Sequence, residues 1–170
     1  MTLTREPAFV PGTRGHEAQP VFRTVVVPLD GDHESLLAVP TACALAAPDG
    51  GSLVGVFVIK LPTALPLEAH MFEAEGHARD ALARARAAAE AYGLRFVGRI
   101  VRGHGVGEAI VAEAARLDAD LIVLPARRLR AQGTHALAFD QIVRTVLAKA
   151  ACRVLVIAPP AVEEGSIGGR

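Results

Sequence analysis

The residues best placed to do chemistry fall into three clusters. Asp30, Gly31 and Asp32 come directly after an apolar run containing Val25, Val26, Val27 and Leu29. Carboxylates at that place can accept hydrogen bonds from a polar ligand, or they can shape a turn and cap the helix that follows. Gly103, Gly105 and Gly107 form the second cluster, ahead of a helical pattern. Without side chains, such positions let backbone N–H groups come close to a ligand. The third is Arg127, Arg128 and Arg130, in a polar stretch after another apolar run. Guanidinium forks hold phosphate bidentately. The competing reading is a solvated loop with no fixed element to preorganise three long side chains.

Other reactive types are less well arranged. His70 and His77 lie seven residues apart, two helical turns and roughly 10 Å, too far to share a metal ion. Cys43 and Cys152 are widely separated inside apolar segments, without CxxC spacing; free, buried and inert thiols are expected, with a disulfide or a reactive thiol as the alternatives. The glycine cluster is not GxGxxG and does not follow the first strand, which argues against a Rossmann dinucleotide site. A nucleophile, base and orienting group cannot be assembled from these residues, so no enzymatic activity is expected.

These clusters need elements to position them. The run at 25–29 is β-branched and unbroken, as in a strand buried on both faces of a parallel sheet. It feeds a helix after Asp32, with Leu36, Leu37, Thr41, Ala44 and Leu45 as the expected buried face. Pro40 is expected to kink or shorten that helix. Residues 53–59 read as a second strand and 60–66 as a loop over the carboxyl edge of the sheet. Met71, Ala78, Leu82, Ala85, Ala89 and Tyr92 keep to one stripe of a long helix, which Gly93 should end in the left-handed conformation. Strands at 94–101, 120–124 and 152–157 follow. Between them lie a helix striped with Val106, Ile110, Ala114 and Leu117 and another striped with Phe139, Ile142, Val143, Val146, Leu147 and Ala150. Five strands alternating with four helices predict right-handed crossovers in a single doubly wound α/β domain with a five-stranded parallel sheet and helices on both faces. Its expected span is 21–160, after a flexible arm at 1–20 and before a tail at 161–170.

Bulk properties narrow the partners. The 170 residues are 51% hydrophobic, with 18 basic and 18 acidic side chains. A net charge of zero offers no field for nucleic acid or anionic lipid. No run approaches the ~18 apolar residues of a membrane span, and the first 20 residues lack a signal-peptide core, so a cytoplasmic protein without membrane insertion is expected.

The order of elements, together with VVVPLDGDHES, VRGHGVGEAIVAEAARLDADLIVLP and AKAACRVLVIAPP, resembles the universal stress protein family over about residues 22–160. The resemblance implies a regulatory homodimer joined through the last strand, with a ligand or a protein as its partner. In ATP-binding members the aspartate after the first strand and backbone at the end of the second hold the nucleoside; here these are Asp30 and Val58, with Gly103 and Gly105 in the loop beside the nucleotide. The same members carry G-x-x-G-x9-G-[ST] after the fourth strand. In this chain the three glycine positions fall at Arg127 or Arg128, Arg130 or Ala131, and Asp140 or Gln141. None is glycine. Losing several charge-assisted contacts of ~1.5–3 kcal/mol each should abolish tight ATP binding by that route. A carboxylate at Asp140 facing the site would repel a triphosphate as well. Weak or altered adenine-nucleotide binding is therefore expected, with AMP or a cyclic dinucleotide in place of ATP, and with Arg127 and Arg130 as the side-chain phosphate ligands. A nucleotide-free interaction scaffold is the alternative; an adenine-nucleotide hydrolase or transferase is a third.

Overall fold

A computed structural model describes residues 22–126 and 140–158. The expected arm and tail, and Arg127, Arg128 and Arg130, lie outside the described residues. Element order is β1 (Thr24–Leu29), α1 (His33–Leu45), β2 (Ser52–Lys60), α2 (Phe72–Glu90), β3 (Arg95–Gly103), α3 (Val106–Arg116), β4 (Leu121–Pro125), α4 (Gln141–Lys149) and β5 (Arg153–Ile157). All strand pairs are parallel, in the order β3-β2-β1-β4-β5. This is the doubly wound α/β sheet read from the periodicity. The order reverses between β1 and β4.

Side-chain alternation along each strand explains the two layers. Val25, Val27, Leu53, Phe57, Ile59, Leu121 and Val123 face α1 and α2. Val26, Val54, Val56, Ile122 and Leu124 face α3 and α4. Val25, Val26 and Val27 are fully buried, as a strand covered on both faces requires.

The register fixes where the sheet opens. Six residue pairs join β1 to β2, from Thr24 with Ser52 to Leu29 with Phe57. Between β1 and β4 the register holds Val25 with Leu121 and Val26 with Ile122. That pairing sits at the amino ends, where the Asp120 carboxylate accepts the backbone N–H groups of Arg23 and Thr24 at 2.8 and 2.9 Å, and Asp120 N–H donates to Thr24 carbonyl at 3.0 Å. The carboxyl halves of both strands extend past the paired stretch.

Helix α1 departs from expectation in two ways. It runs unbroken through Pro40. One missing donor near the middle costs a single backbone bond, and the buried stripe on either side of it holds the helix to the sheet. That stripe is Ser35, Ala38, Val39, Ala42 and Cys43, whereas Leu37 is 53% exposed. Leu36 and Leu45 pack only partly. The segment is apolar around most of its circumference, so hydrophobicity did not mark one side; the small residues face the sheet because they allow close approach.

The other helices keep most of their predicted stripes. Ala78, Leu82, Ala85 and Ala89 are buried, while Tyr92 is exposed beyond the last turn of α2 and Gly93 adopts φ +71°. In α4, Val143 and Val146 are buried and Leu147 is exposed; Phe139 lies outside the described residues. Helices α3 and α4 meet through Gly107, where an added Cβ would stand 2.7 Å from Thr145 Cβ and 3.3 Å from Ile142 carbonyl oxygen.

That contact yields a signed prediction. Alanine is the better helix former by ~1 kcal/mol, yet Gly107→Ala should destabilise the protein, because neither obstructing atom is a flexible tip and overpacking typically costs ~1–3 kcal/mol. Gly76→Ala in α2, where a Cβ meets nothing within 4 Å, should stabilise by ~0.5–1 kcal/mol. Urea denaturation of both variants checks the pair; equal shifts of the same sign would contradict the packing described.

Candidate functional site

Ligand crevices in open α/β sheets lie outside the carboxyl ends of the strands where strand order reverses. Here that place is the end of β1 and β4, beyond their paired stretch. Asp30 leaves β1 at this point and is exposed. Its Oδ1 accepts the N–H of Asp32 at 3.0 Å, and its own N–H donates to Ser35 Oγ at 3.5 Å; Ser35 Oγ in turn donates to the Asp32 carbonyl at 2.8 Å. The turn is thus shaped by Asp30 and Ser35. Asp32 occupies the N-cap position of α1 without a side-chain cap bond. Gly31 adopts φ +89°, a conformation that favours glycine. Its carbonyl accepts from Arg84 Nη2 of α2 at 3.0 Å.

Val58 sits one residue past Phe57, the partner of Leu29, so it stands level with Asp30 on the neighbouring strand. It is partly buried against the layer of α3 and α4. The structure therefore brings Asp30 and Val58 together at one edge. Gly103 is the last residue of β3, not part of a loop, and pairs with Lys60. It is buried, and a Cβ there would lie 3.0 Å from Ala109 Cβ. Gly105 is the N-cap of α3 and would press a side chain onto the Glu108 carboxyl group. Both glycines occupy the same carboxyl edge as Asp30, but at the end of β3 and in the turn after it, two strands away in the sheet order. Their missing side chains make room for the β3–α3 turn itself.

Asp140 is the N-cap of α4, with Oδ1 accepting Val143 N–H at 2.8 Å. Of the two positions that the resemblance offers for the third glycine, Asp140 is this N-cap and Gln141 the first residue of the helix.

Two buried carboxylates were not anticipated. Glu75 accepts from Arg102 Nη2 at 2.6 Å and lies 3.1 Å from His70 Nδ1 and 3.5 Å from Arg79. Glu113 accepts from Arg99 Nε at 3.0 Å and from Arg116 at 2.6 and 2.9 Å. Arg99 and Arg102 are three apart on β3 and so face opposite layers; each ties the edge strand to one helix. Position could have revealed both: Glu75 continues the stripe of Ala78 and Leu82, and Glu113 that of Ile110 and Leu117. His70 is exposed but paired with Glu75. Among the described residues no cluster of three or more histidine, cysteine or acidic side chains could hold a metal ion. Cys43 and Cys152 are free, the first buried and the second only partly so; burial pushes both thiols up from their ordinary value. A groove at the opposite, amino edge is lined by Ala119, Asp120, Ala151, Cys152 and Arg153, but its one carboxylate, Asp120, is committed to the start of β1.

The fold and the placement of Asp30 define a doubly wound α/β module with its crevice at the reversal of strand order. Residues 22–158 match the model of the universal stress protein family, and the chain belongs to that family. Solved structures agree in fold. A universal stress protein from Archaeoglobus fulgidus superposes with a TM-score of 0.65 at 20% identity, covering 80% of this chain and 93% of its own. One solved in complex with cAMP gives 0.63 at 24%, covering 80% and 97%. A family member from Arabidopsis thaliana with AMP bound gives 0.58 at 16%, covering 85% and 96%. No curated protein matches the chain.

The charged pairs predict a pH dependence. Hydrogen bonds from Arg102 to Glu75, and from Arg116 to Glu113, lower these carboxyls from their ordinary 4.5. A lowered folded value means that the stabilisation is fully present above 4.5 and is lost as pH falls through the folded values. The melting temperature should therefore drop in acid below pH 4.5. Glu75→Gln/Glu113→Gln should melt lower at neutral pH yet show a flatter acid limb; an acid limb parallel to that of the unaltered protein would assign the sensitivity elsewhere.

Proposed function

We propose that this chain is a regulatory universal stress protein that binds an adenine nucleotide of few phosphates, of the AMP class, at the carboxyl ends of β1 and β2. The observation that carries this reading is the placement of Asp30 and Val58, each one residue past the paired Leu29 and Phe57, beside the ends of β1 and β4 that extend past their paired stretch. A carboxylate accepts up to about four hydrogen bonds, so the bond to Asp32 N–H is compatible with ribose hydroxyls or an adenine amine as further donors. The partly buried Val58 offers backbone and an apolar surface to the base. Relatives solved with cAMP and AMP support the same ligand class.

The module acts by binding, not by turnover, and as a homodimer in the cytoplasm. Support for the dimer comes from β5, an edge strand of Val154, Leu155, Val156 and Ile157, all of intermediate exposure; uncovered apolar edges invite pairing. Among the described residues no helix is long and apolar enough to cross a membrane. The same edge strand favours a second reading, a dimeric scaffold with no nucleotide.

Titration calorimetry with AMP separates the two. One AMP per chain is expected, with affinity falling roughly 10- to 100-fold in Asp30→Ala, from the loss of a charge-assisted bond. Asp30→Asn retains an acceptor for Asp32 N–H and should lose affinity too, while the dimer measured by sedimentation persists in both variants. Absence of heat for AMP with the unaltered protein would overturn the nucleotide reading and leave the scaffold.

A further inference from the structure

The turn that carries Asp30 is held at both ends of a single peptide unit. The amide joining Gly31 to Asp32 donates its N–H to Asp30 Oδ1 at 3.0 Å, and its carbonyl accepts from Arg84 Nη2 of α2, also at 3.0 Å. A trans peptide is planar, with C=O and N–H pointing in opposite directions, so whatever orients one end orients the other. Helix α2 lies close against this turn: a Cβ at Gly31 would stand 3.8 Å from Ala81 Cβ and 3.9 Å from Arg84 Nη2. Gly31 itself sits at φ +89°. Glycine gives the following peptide wide freedom to turn over, and the bond from Arg84 opposes that rotation. A cation on the carbonyl also polarises the amide, which strengthens its N–H as a donor to the carboxylate.

We infer that Arg84 is a positioning residue for the ligand site: by holding the Gly31 carbonyl it fixes the Gly31–Asp32 peptide, and through that peptide the direction in which the Asp30 carboxylate meets a nucleoside. This inference rests on the nucleotide reading above. Arg84 then serves the nucleoside and not the phosphate, because the group it orients is the one assigned to ribose hydroxyls or the adenine amine.

Three variants test the role. Arg84→Met removes the donor but keeps an unbranched side chain of similar helix propensity. Arg84→Lys keeps a cation that can donate to the carbonyl. Arg86→Met removes an equal charge from the same helix, where Arg86 lies 5.5 Å from the centre of the Phe96 ring. Affinities for adenosine and AMP are measured by titration calorimetry, and the Asp32 amide is followed by NMR. Arg84→Met should weaken adenosine and AMP alike, by roughly 5- to 10-fold, and move the Asp32 amide proton upfield as its bond to Asp30 loosens. Arg84→Lys should recover most of both effects, and Arg86→Met should stay within about 2-fold for either ligand. A loss confined to AMP, or shared equally by Arg84→Met and Arg86→Met, would assign Arg84 to general charge attraction and overturn the inference. So would a lowered urea midpoint with both affinities unchanged, the mark of a purely structural bond, or an unmoved Asp32 amide. If the unaltered protein binds neither adenosine nor AMP, the nucleotide reading itself fails and takes the inference with it.

Discussion

Everything in this fold turns on a short seam. Strands β3, β2 and β1 form one half of the sheet and β4 with β5 the other, and the two halves meet where the Asp120 carboxylate accepts the backbone N–H groups of Arg23, just before β1, and of Thr24, its first residue. A charge-assisted pair of this kind contributes more than neutral backbone bonds. It fixes the amino ends of β1 and β4 in register, and the strands part company toward their carboxyl ends. Because the chain reverses its winding at this seam, α1 and α2 cover one face while α3 and α4 cover the other. The crevice is thus a product of the topology, and Asp30 is placed in it by being the next residue after β1.

Charge is distributed with the same economy. Glu75 and Glu113 clamp the outermost strand, β3, from opposite faces through Arg102 and Arg99. Lys149 at the end of α4 reaches Glu108 at the start of α3 at 3.1 Å, an exposed pair worth little on its own. The carboxylates at the crevice serve differently. Asp30 shapes the turn after β1 from an exposed position, and Asp140 closes the start of α4.

Sheet class, element order and most core positions were legible because parallel strands covered on both faces read as unbroken β-branched runs and because α2, α3 and α4 carry clear stripes. Helix α1 was misread at its face, since Leu36, Leu37, Val39 and Leu45 surround the axis and only packing against β1 decides which side is buried. Pro40 does not end the helix for a related reason: tertiary contact outweighs one lost backbone bond. Asp30 was visible as a residue ending a strand, but its bond to Asp32 N–H was not, because turn geometry depends on backbone angles that side-chain types do not fix. Gly107 looked like part of a ligand loop; its contact with Thr145 involves a helix nearly forty positions away. Glu75 and Glu113 are legible by position as charges on apolar stripes, but their partners Arg102 and Arg99 lie on another element, which spacing along a helix does not show.

The most direct test of the crevice is an NMR titration of the uniformly labelled chain with AMP, following backbone amides. The account predicts the largest shifts at Asp30, Gly31 and Val58, at the carboxyl edge, with Asp120, Cys152 and Arg153 at the amino-edge groove unmoved. Shifts confined to that groove would contradict the assignment of the ligand site to the seam where β1 and β4 separate.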